Sequence, residues 1–269
     1  MPHPTDTPSE EPTVSTPEHP RPELIYWASN SMPHHVLDRA EAVAPGGYAA
    51  MSVMVGDLAG WEAAGRSIEE LRRELDAREV RVNTIDPYLA WYPGHDPEHP
   101  TGVAAKHREH LVMTEEKLFR WADALGAEFV SVLGTFDGPA VSFDETVEIL
   151  GGFADRAAPH GLRPHLEPIP TTKIHDLRAS LELVRAVGRD NLGLLLDTYN
   201  LGRAGVDPAE MEAVPLELVF QLQLADGSGI EDGKDYFADA FHRRSLPGEG
   251  GFPCAEMIAP LAKQGPLPP

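Results

Sequence analysis

Gly161-Leu-Arg-Pro-His-Leu-Glu167 and Asn191-Leu-Gly-Leu-Leu-Leu-Asp197 decide the fold: each is a short apolar run that closes on a carboxylate. Leu218-Val-Phe-Gln-Leu-Gln-Leu-Ala225 follows, with Gln223 near its end. Short apolar runs bounded by turn residues are the pattern of strands buried on both faces, as in a parallel sheet. In parallel α/β architectures the C-terminal strand ends share one rim, so polar groups there meet although they are far apart in sequence. Glu167, Asp197 and Gln223 are therefore expected together at one mouth, as three oxygen donors.

Working outward, further strands are expected at Leu24–Ser29, Tyr48–Val55, Val80–Ile85 and Phe129–Leu133, which makes seven parallel strands. The helices between them carry start and stop signals. Ser67-Ile-Glu-Glu70 and Ser142-Phe-Asp-Glu145 have the form of capping boxes, and Asp176 caps a helix whose stripe is Leu177, Leu181 and Val184 and whose stop is Gly188. Pro164 removes a ladder donor inside the fifth strand, yet the capped helices on either side leave that segment no other role. The pattern predicts an α/β chain of the TIM (β/α)8 type over residues 23–269, preceded by a disordered tail, 1–22, rich in Pro and acid. After a helix over Cys254–Lys263 comes only Gln-Gly-Pro-Leu-Pro-Pro, so the barrel is expected to be C-terminally incomplete, lacking its eighth strand and last helix.

The composition narrows the function. A chain of 269 residues, 42% hydrophobic, holds one barrel and no second full domain. With 43 acidic against 22 basic residues and a net charge of −21, it lacks the basic footprint that nucleic acid requires. No stretch has the length and apolarity of a membrane span. The lone Cys254 excludes an intramolecular disulfide and fits a reducing compartment, so a soluble, cytoplasmic protein is expected.

Alternation along a strand puts Gln221 and Gln223 on one face and Phe220, Leu222 and Leu224 on the other; the apolar set is expected against the helices, the glutamines inside the barrel. Carboxylate and amide oxygens suit a hard divalent cation, Mn²⁺ or Mg²⁺, with Co²⁺ also admissible, and no cluster of thiolates argues for structural zinc. The alternative is structural: Glu167 and Asp197 could bind loop amides or arginines such as Arg163 and Arg203.

Four segments carry a family resemblance: His165-Leu-Glu-Pro-Ile, Leu195-Leu-Asp-Thr-Tyr-Asn, Gln221-Leu-Gln-Leu-Ala-Asp and Arg243-Arg-Ser-Leu-Pro-Gly-Glu-Gly. In order and placement at strand ends they resemble the sugar phosphate isomerase/epimerase superfamily, the xylose isomerase-like TIM barrels that include hydroxypyruvate isomerases and ketose 3-epimerases. The resemblance spans roughly residues 23–265. It implies that Glu167 binds the metal and exchanges a proton with the substrate, that Asp197 and Gln223 complete three ligand positions, and that Arg243 holds substrate oxygens. His242 is a further substrate contact, as is Asn200, where relatives commonly have histidine. Trp91, in Trp91-Tyr92-Pro93-Gly94, is either a cover for the mouth or a packing anchor. The fourth ligand and second acid/base of the family, a glutamate at the end of strand eight, has no counterpart here, and Glu249 is not assigned that role.

The implied activity is metal-dependent isomerisation or epimerisation of a small sugar or hydroxy-carbonyl compound through an enediolate. A dehydratase of the same superfamily and a non-catalytic, truncated barrel are the alternatives; an endonuclease conflicts with the charge. The expected partner is a small carbohydrate-like molecule, and a homodimer is the assembly that the resemblance suggests.

Overall fold

The computed structural model describes residues 21–31, 33–96, 98–99, 102–106, 113–136, 138–228 and 236–269. Residues 1–20 of the expected tail, and His107 and His110, lie outside the described residues. Seven strands form one all-parallel sheet in chain order: β1 (Ile25–Tyr26), β2 (Ala50–Met54), β3 (Arg81–Tyr88), β4 (Phe129–Leu133), β5 (Arg163–Glu167), β6 (Gly193–Asp197) and β7 (Val219–Gln223). This is the barrel architecture expected from the sequence, seven strands long. On the outer edge of β7 the Leu222 N–H donates to the carbonyl of Pro269 at 2.9 Å.

Strand rhythm and helix caps build this order. Between β2 and β3 lie α2 (Val55–Ala63) and α3 (Ile68–Asp76), after α1 (Val36–Val43); α4 (Gly102–Lys106) and α5 (Glu115–Leu125) precede β4. Ser67 caps α3 in a full box: its hydroxyl accepts from the Glu70 N–H at 3.2 Å and the Glu70 carboxylate accepts from the Ser67 N–H at 2.8 Å. The α3 face of Ile68, Leu71 and Leu75 is fully buried, a contribution of about 1.5–3 kcal/mol for each side chain. Helix α6 (Phe143–Ala157) is capped by Ser142, whose hydroxyl accepts from the Glu145 N–H at 3.3 Å. Only that half of the expected box is formed. Asp176 caps α7 (Leu177–Val187) and Gly188, at φ 60°, ends it in the left-handed conformation.

Pro164 is tolerated because of where pairing begins. On the β4 side it stands opposite Val130, but β6 joins the ladder only from His165, so no β6 bond is forfeited at the proline.

The alternation expected along β7 fails at Phe220 and at Leu224. Gln221 points into the barrel as predicted, while Phe220, expected against the helices, lies within 6.1 Å of the Phe129 ring and beneath the Arg163 guanidinium at 3.9 Å. The cause is a register shift between Leu194 and Leu195 in the β6–β7 ladder, together with Gly193. A Cβ at Gly193 would meet the Phe220 ring at 2.6 Å, so only glycine leaves the ring its place. Leu224 does not reach the helices either and is exposed.

Candidate active site

The C-terminal strand ends supply three buried carboxylates: Asp86 from β3, Glu167 from β5 and Asp197 from β6. Their oxygens are individually held. Trp27 Nε1 donates to Asp86 at 2.9 Å. Asn200 Nδ2 donates to Glu167 Oε1 at 2.6 Å, and the Ser131 hydroxyl approaches Glu167 Oε2 at 3.4 Å. Asp197 begins α8 (Thr198–Ala204) as its N-cap, with Oδ1 accepting from the Tyr199 N–H at 2.9 Å, while Oδ2 faces Arg244 at 2.7 Å.

Arg244 follows α9 (Tyr236–His242) and is the cation of the site. Its guanidinium lies 4.5 Å from the Trp27 ring centroid and 4.4 Å from that of Tyr199, and its Nε donates to the Ala240 carbonyl at 2.7 Å. Two aromatic rings and a carbonyl thus fix its plane before any ligand arrives. The loop that carries it is anchored by Asp226, which exchanges backbone bonds with Ser245 and whose carboxylate accepts from the N–H groups of Gly227, Gly248 and Phe252. Burial alone would raise the Asp226 carboxyl, but the N–H groups of Phe252, Gly227, Gly250 and Gly248 outweigh it and hold the group below the usual carboxylate range.

Three carboxylates share one guanidinium, and Glu167 bears the consequence. Burial pushes its carboxyl well above the ordinary range, and the charges of Asp197 and Asp86 push the same way against Arg244 and the Asn200 hydrogen bond. Burial also raises Asp86. Glu167 thus stands on the cleft wall with Oε1 held by Asn200 and Oε2 approached by the Ser131 hydroxyl, a carboxylate positioned to reach a bound molecule.

Beside these groups lies a narrow cleft, lined by Asp86, Glu167, Asn200, Tyr236 and Arg244 on its polar side and by Met54, Leu133, Phe136, Ile169 and Phe241 on its apolar side. Leu89, Leu133 and Ile169 form a hydrophobic cluster separate from the main core, with Phe136 and Tyr236 packed against it.

The expected site residues divide. Glu167 and Asn200 line the cleft; Asp197 stands behind Arg244. Gln223 is the strand partner of Asp197, and its half-buried side chain makes no hydrogen bond among the described residues. Arg243, expected to hold substrate, does not line the cleft: its side chain is 54% exposed and pairs with Asp239 at 3.3 Å, whereas the adjacent Arg244, 13% exposed, does line it. His242 is exposed and does not line the cleft. Trp91 is the packing anchor of its two readings, buried with Nε1 on the Leu133 carbonyl at 2.8 Å and its ring against Tyr92. Of the structural partners considered for the carboxylates, Arg163 and Arg203 pair elsewhere, with Glu128 and Asp239, but Asp197 does bind a backbone N–H, that of Tyr199, and an arginine, Arg244.

Three residues escaped the sequence reading. Asp86 obeys the rule that found Glu167, since it directly follows the apolar Val80–Ile85 run. The helical i,i+4 relation of Asp239 and Arg243 was the signal that Arg243 faces outward. Tyr236 carried no signal.

Among the described residues no three His, Cys, Asp or Glu side chains converge as a metal cluster. The donors that fit a hard divalent cation are Glu167 and Asp197 with the unengaged amide of Gln223, an all-oxygen set whose two carboxylates are in charge excess over Arg244.

Comparison with known proteins gives the same architecture. The family described as Xylose isomerase-like TIM barrel matches residues 40–266. The chain is 25% identical over 240 residues to a 3-dehydroshikimate dehydratase of Pseudomonas aeruginosa, covering 88% of this chain and 36% of that protein. It thus spans about a third of the length of that relative. An inosose isomerase of Halalkalibacterium halodurans is 29% identical over 121 residues, covering 44% of this chain and 42% of the isomerase. A solved structure of the IOLI protein with a bound zinc atom superposes with a TM-score of 0.72 at 18% identity, covering 91% of this chain and 86% of that one.

Proposed function

The chain belongs to the xylose isomerase-like TIM barrel family, and from that premise we propose that it is an enzyme that moves a proton at carbon next to a carbonyl of a small hydroxy-carbonyl compound, an isomerase or epimerase with Glu167 as its base. The observation that carries this reading is the placement of Glu167: a buried carboxylate on the cleft wall, held by Asn200 and set beside Asp86, Asp197 and Arg244 at the strand ends.

Glu167, Asp197 and Gln223 are the residues that would hold a divalent cation, Mn²⁺ or Mg²⁺. Such an ion polarises a carbonyl and stabilises negative charge that develops on its oxygen. The side chains act around that charge. Glu167 takes the proton from the carbon, and the electron pair of the C–H bond moves onto the carbonyl to give an enediolate. Arg244, held flat between Trp27 and Tyr199, offers fixed N–H donors at the cleft wall. Asn200 holds one oxygen of Glu167, leaving Oε2 with only the long Ser131 contact for proton transfer. Return of the proton by Glu167 to the adjacent carbon would isomerise the substrate; epimerisation would in addition need a second acid to deliver a proton to the opposite face.

A second reading is favoured by the extent of the dehydratase match, 88% of the chain against 44% for the inosose isomerase. Loss of a β-hydroxyl as water from the same enediolate would make the protein a dehydratase. The apolar half of the cleft supports a substrate with one oxygen-rich edge and one apolar face, because hydroxyls buried without partners are costly.

The test uses the full chain with Mn²⁺ or Mg²⁺ in deuterated water, with 3-dehydroshikimate and inosose as probes. Deuterium uptake next to the carbonyl is expected, and Glu167→Gln lowers it by about 10²–10⁴-fold. Uptake at the parental rate in Glu167→Gln removes Glu167 as the base. Release of water rather than a rearranged product selects the dehydratase reading.

A further inference from the structure

The Tyr236 hydroxyl donates to Asn200 Oδ1, and Asn200 Nδ2 donates to Glu167 Oε1 at 2.6 Å. We propose that Tyr236 is a positioning residue for Glu167: by holding the oxygen end of the Asn200 amide, it keeps the nitrogen end turned toward the carboxylate. The inference rests on the reading of Glu167 as the base and adds to it a residue that acts at one remove.

A carboxamide has two ends of similar shape and opposite character, one only accepting and the other only donating. Nothing in the shape of Asn200 selects between them. If the amide turned over, its oxygen would face the Glu167 carboxylate and two acceptors would oppose each other in a buried site. Asn200 is 2% exposed, so bulk water is not at hand to choose the orientation. The carboxylate favours the nitrogen end, and the Tyr236 O–H reinforces that orientation from the other side by donating to the amide oxygen. Its ring packs with Phe136 against Leu89, Leu133 and Ile169, which fixes where the hydroxyl sits. Burial holds the phenol well above its ordinary pKa, so it remains a donor across neutral pH.

The consequence for Glu167 is asymmetry. Among the described residues, Oε1 is committed to Asn200, while Oε2 keeps only the 3.4 Å approach of Ser131. A carboxylate held in this way presents one defined oxygen to the cleft, and the apolar wall is linked to the base through a single phenol and a single amide. A Tyr236 that served only as wall, or that only touched substrate, would have no reason to act through Asn200.

The first measurement needs no substrate. The Asn200 side-chain amide protons are followed by NMR in the full chain, assigned by their loss in Asn200→Ala. In Tyr236→Phe, which keeps the ring and removes only the hydroxyl, their exchange with solvent is expected to accelerate by about tenfold with the melting temperature nearly unchanged. Unchanged exchange overturns the proposal. The second is a double-mutant cycle on deuterium uptake by 3-dehydroshikimate. Tyr236→Phe should lower kcat about tenfold and leave KM within about twofold, and the Tyr236→Phe/Asn200→Ala pair should lose no more than Asn200→Ala alone. Additive losses, or a rise in KM with kcat intact, overturn it in favour of direct substrate contact. If uptake persists in Glu167→Gln, the base assignment fails instead, and the amide measurement still decides whether Tyr236 orients Asn200.

Discussion

Two levels of the barrel interior are built from polar side chains, and burial does opposite things to them. At the mouth, Asp86, Glu167 and Asp197 are set around one guanidinium. One level down, Asn83, Thr84, Gln221 and His165 are as deeply buried but carry no charge. The lower amides and hydroxyl satisfy each other across the barrel: the Thr84 hydroxyl reaches Gln221 Oε1 at 3.1 Å and Asn83 Oδ1 at 2.9 Å, and Gln221 Nε2 donates to Asn83 Oδ1. That level braces β3 against β7. The upper level concentrates like charge that the protein only partly compensates, which is unfavourable for stability and useful for proton transfer. Polar residues inside a barrel are thus not one class; what separates the two levels is charge, which the lower one does not carry and the upper one only partly compensates.

The comparison breaks first at Arg244. Arg244→Met should destabilise the fold by about 3–5 kcal/mol, because it leaves the Asp197 carboxylate buried without its counter-charge. Chemical denaturation measures this, and added Mn²⁺ should restore part of the loss if Asp197 is a metal ligand. A variant as stable as the parent would mean that the mouth charges do not depend on each other.

A smaller effect is expected below. Gln221→Leu strands the Asn83 and Thr84 groups and should cost about 1–3 kcal/mol while deuterium uptake stays within a few-fold of the parent. Uptake falling as steeply as it does in Glu167→Gln would put the lower level in the site and erase the distinction.

The smallest effect is on pH dependence. Burial pushes His165 down to about 3 from the ordinary 6.5, with the charge of Arg163 adding to it, and neither ring nitrogen has a partner. Between those values the unfolded chain holds a proton that the folded chain does not. The contribution of His165 to stability is therefore full above pH 6.5 and lost as pH falls from there toward 3, by at most about 1.4 kcal/mol per unit. His165→Leu should flatten that slope in urea titrations at pH 5 and 7; an unaltered slope would assign it to other groups.

The strands and the two carboxylates at their ends were legible because burial on both faces leaves a continuous apolar run, and its last residue is where the polar rim begins. Asp86 was legible by the same rule. The β7 faces were not, since a register shift beside Gly193 moves Phe220 to the interior without changing the alternation of residue types. Nor was the choice between Arg243 and Arg244: both lie just past the end of α9, and which one turns inward depends on Trp27 and Tyr199 from distant segments. Tyr236 was invisible because its role depends on the oxygen of a single amide.

Asp226 binds its loop through backbone N–H groups, and the shape it imposes owes nothing to the side chains at Leu246, Pro247 and Glu249, all exposed. Those three positions are free to drift, or to be recruited by new ligands over evolutionary time, while Arg244 stays where it is.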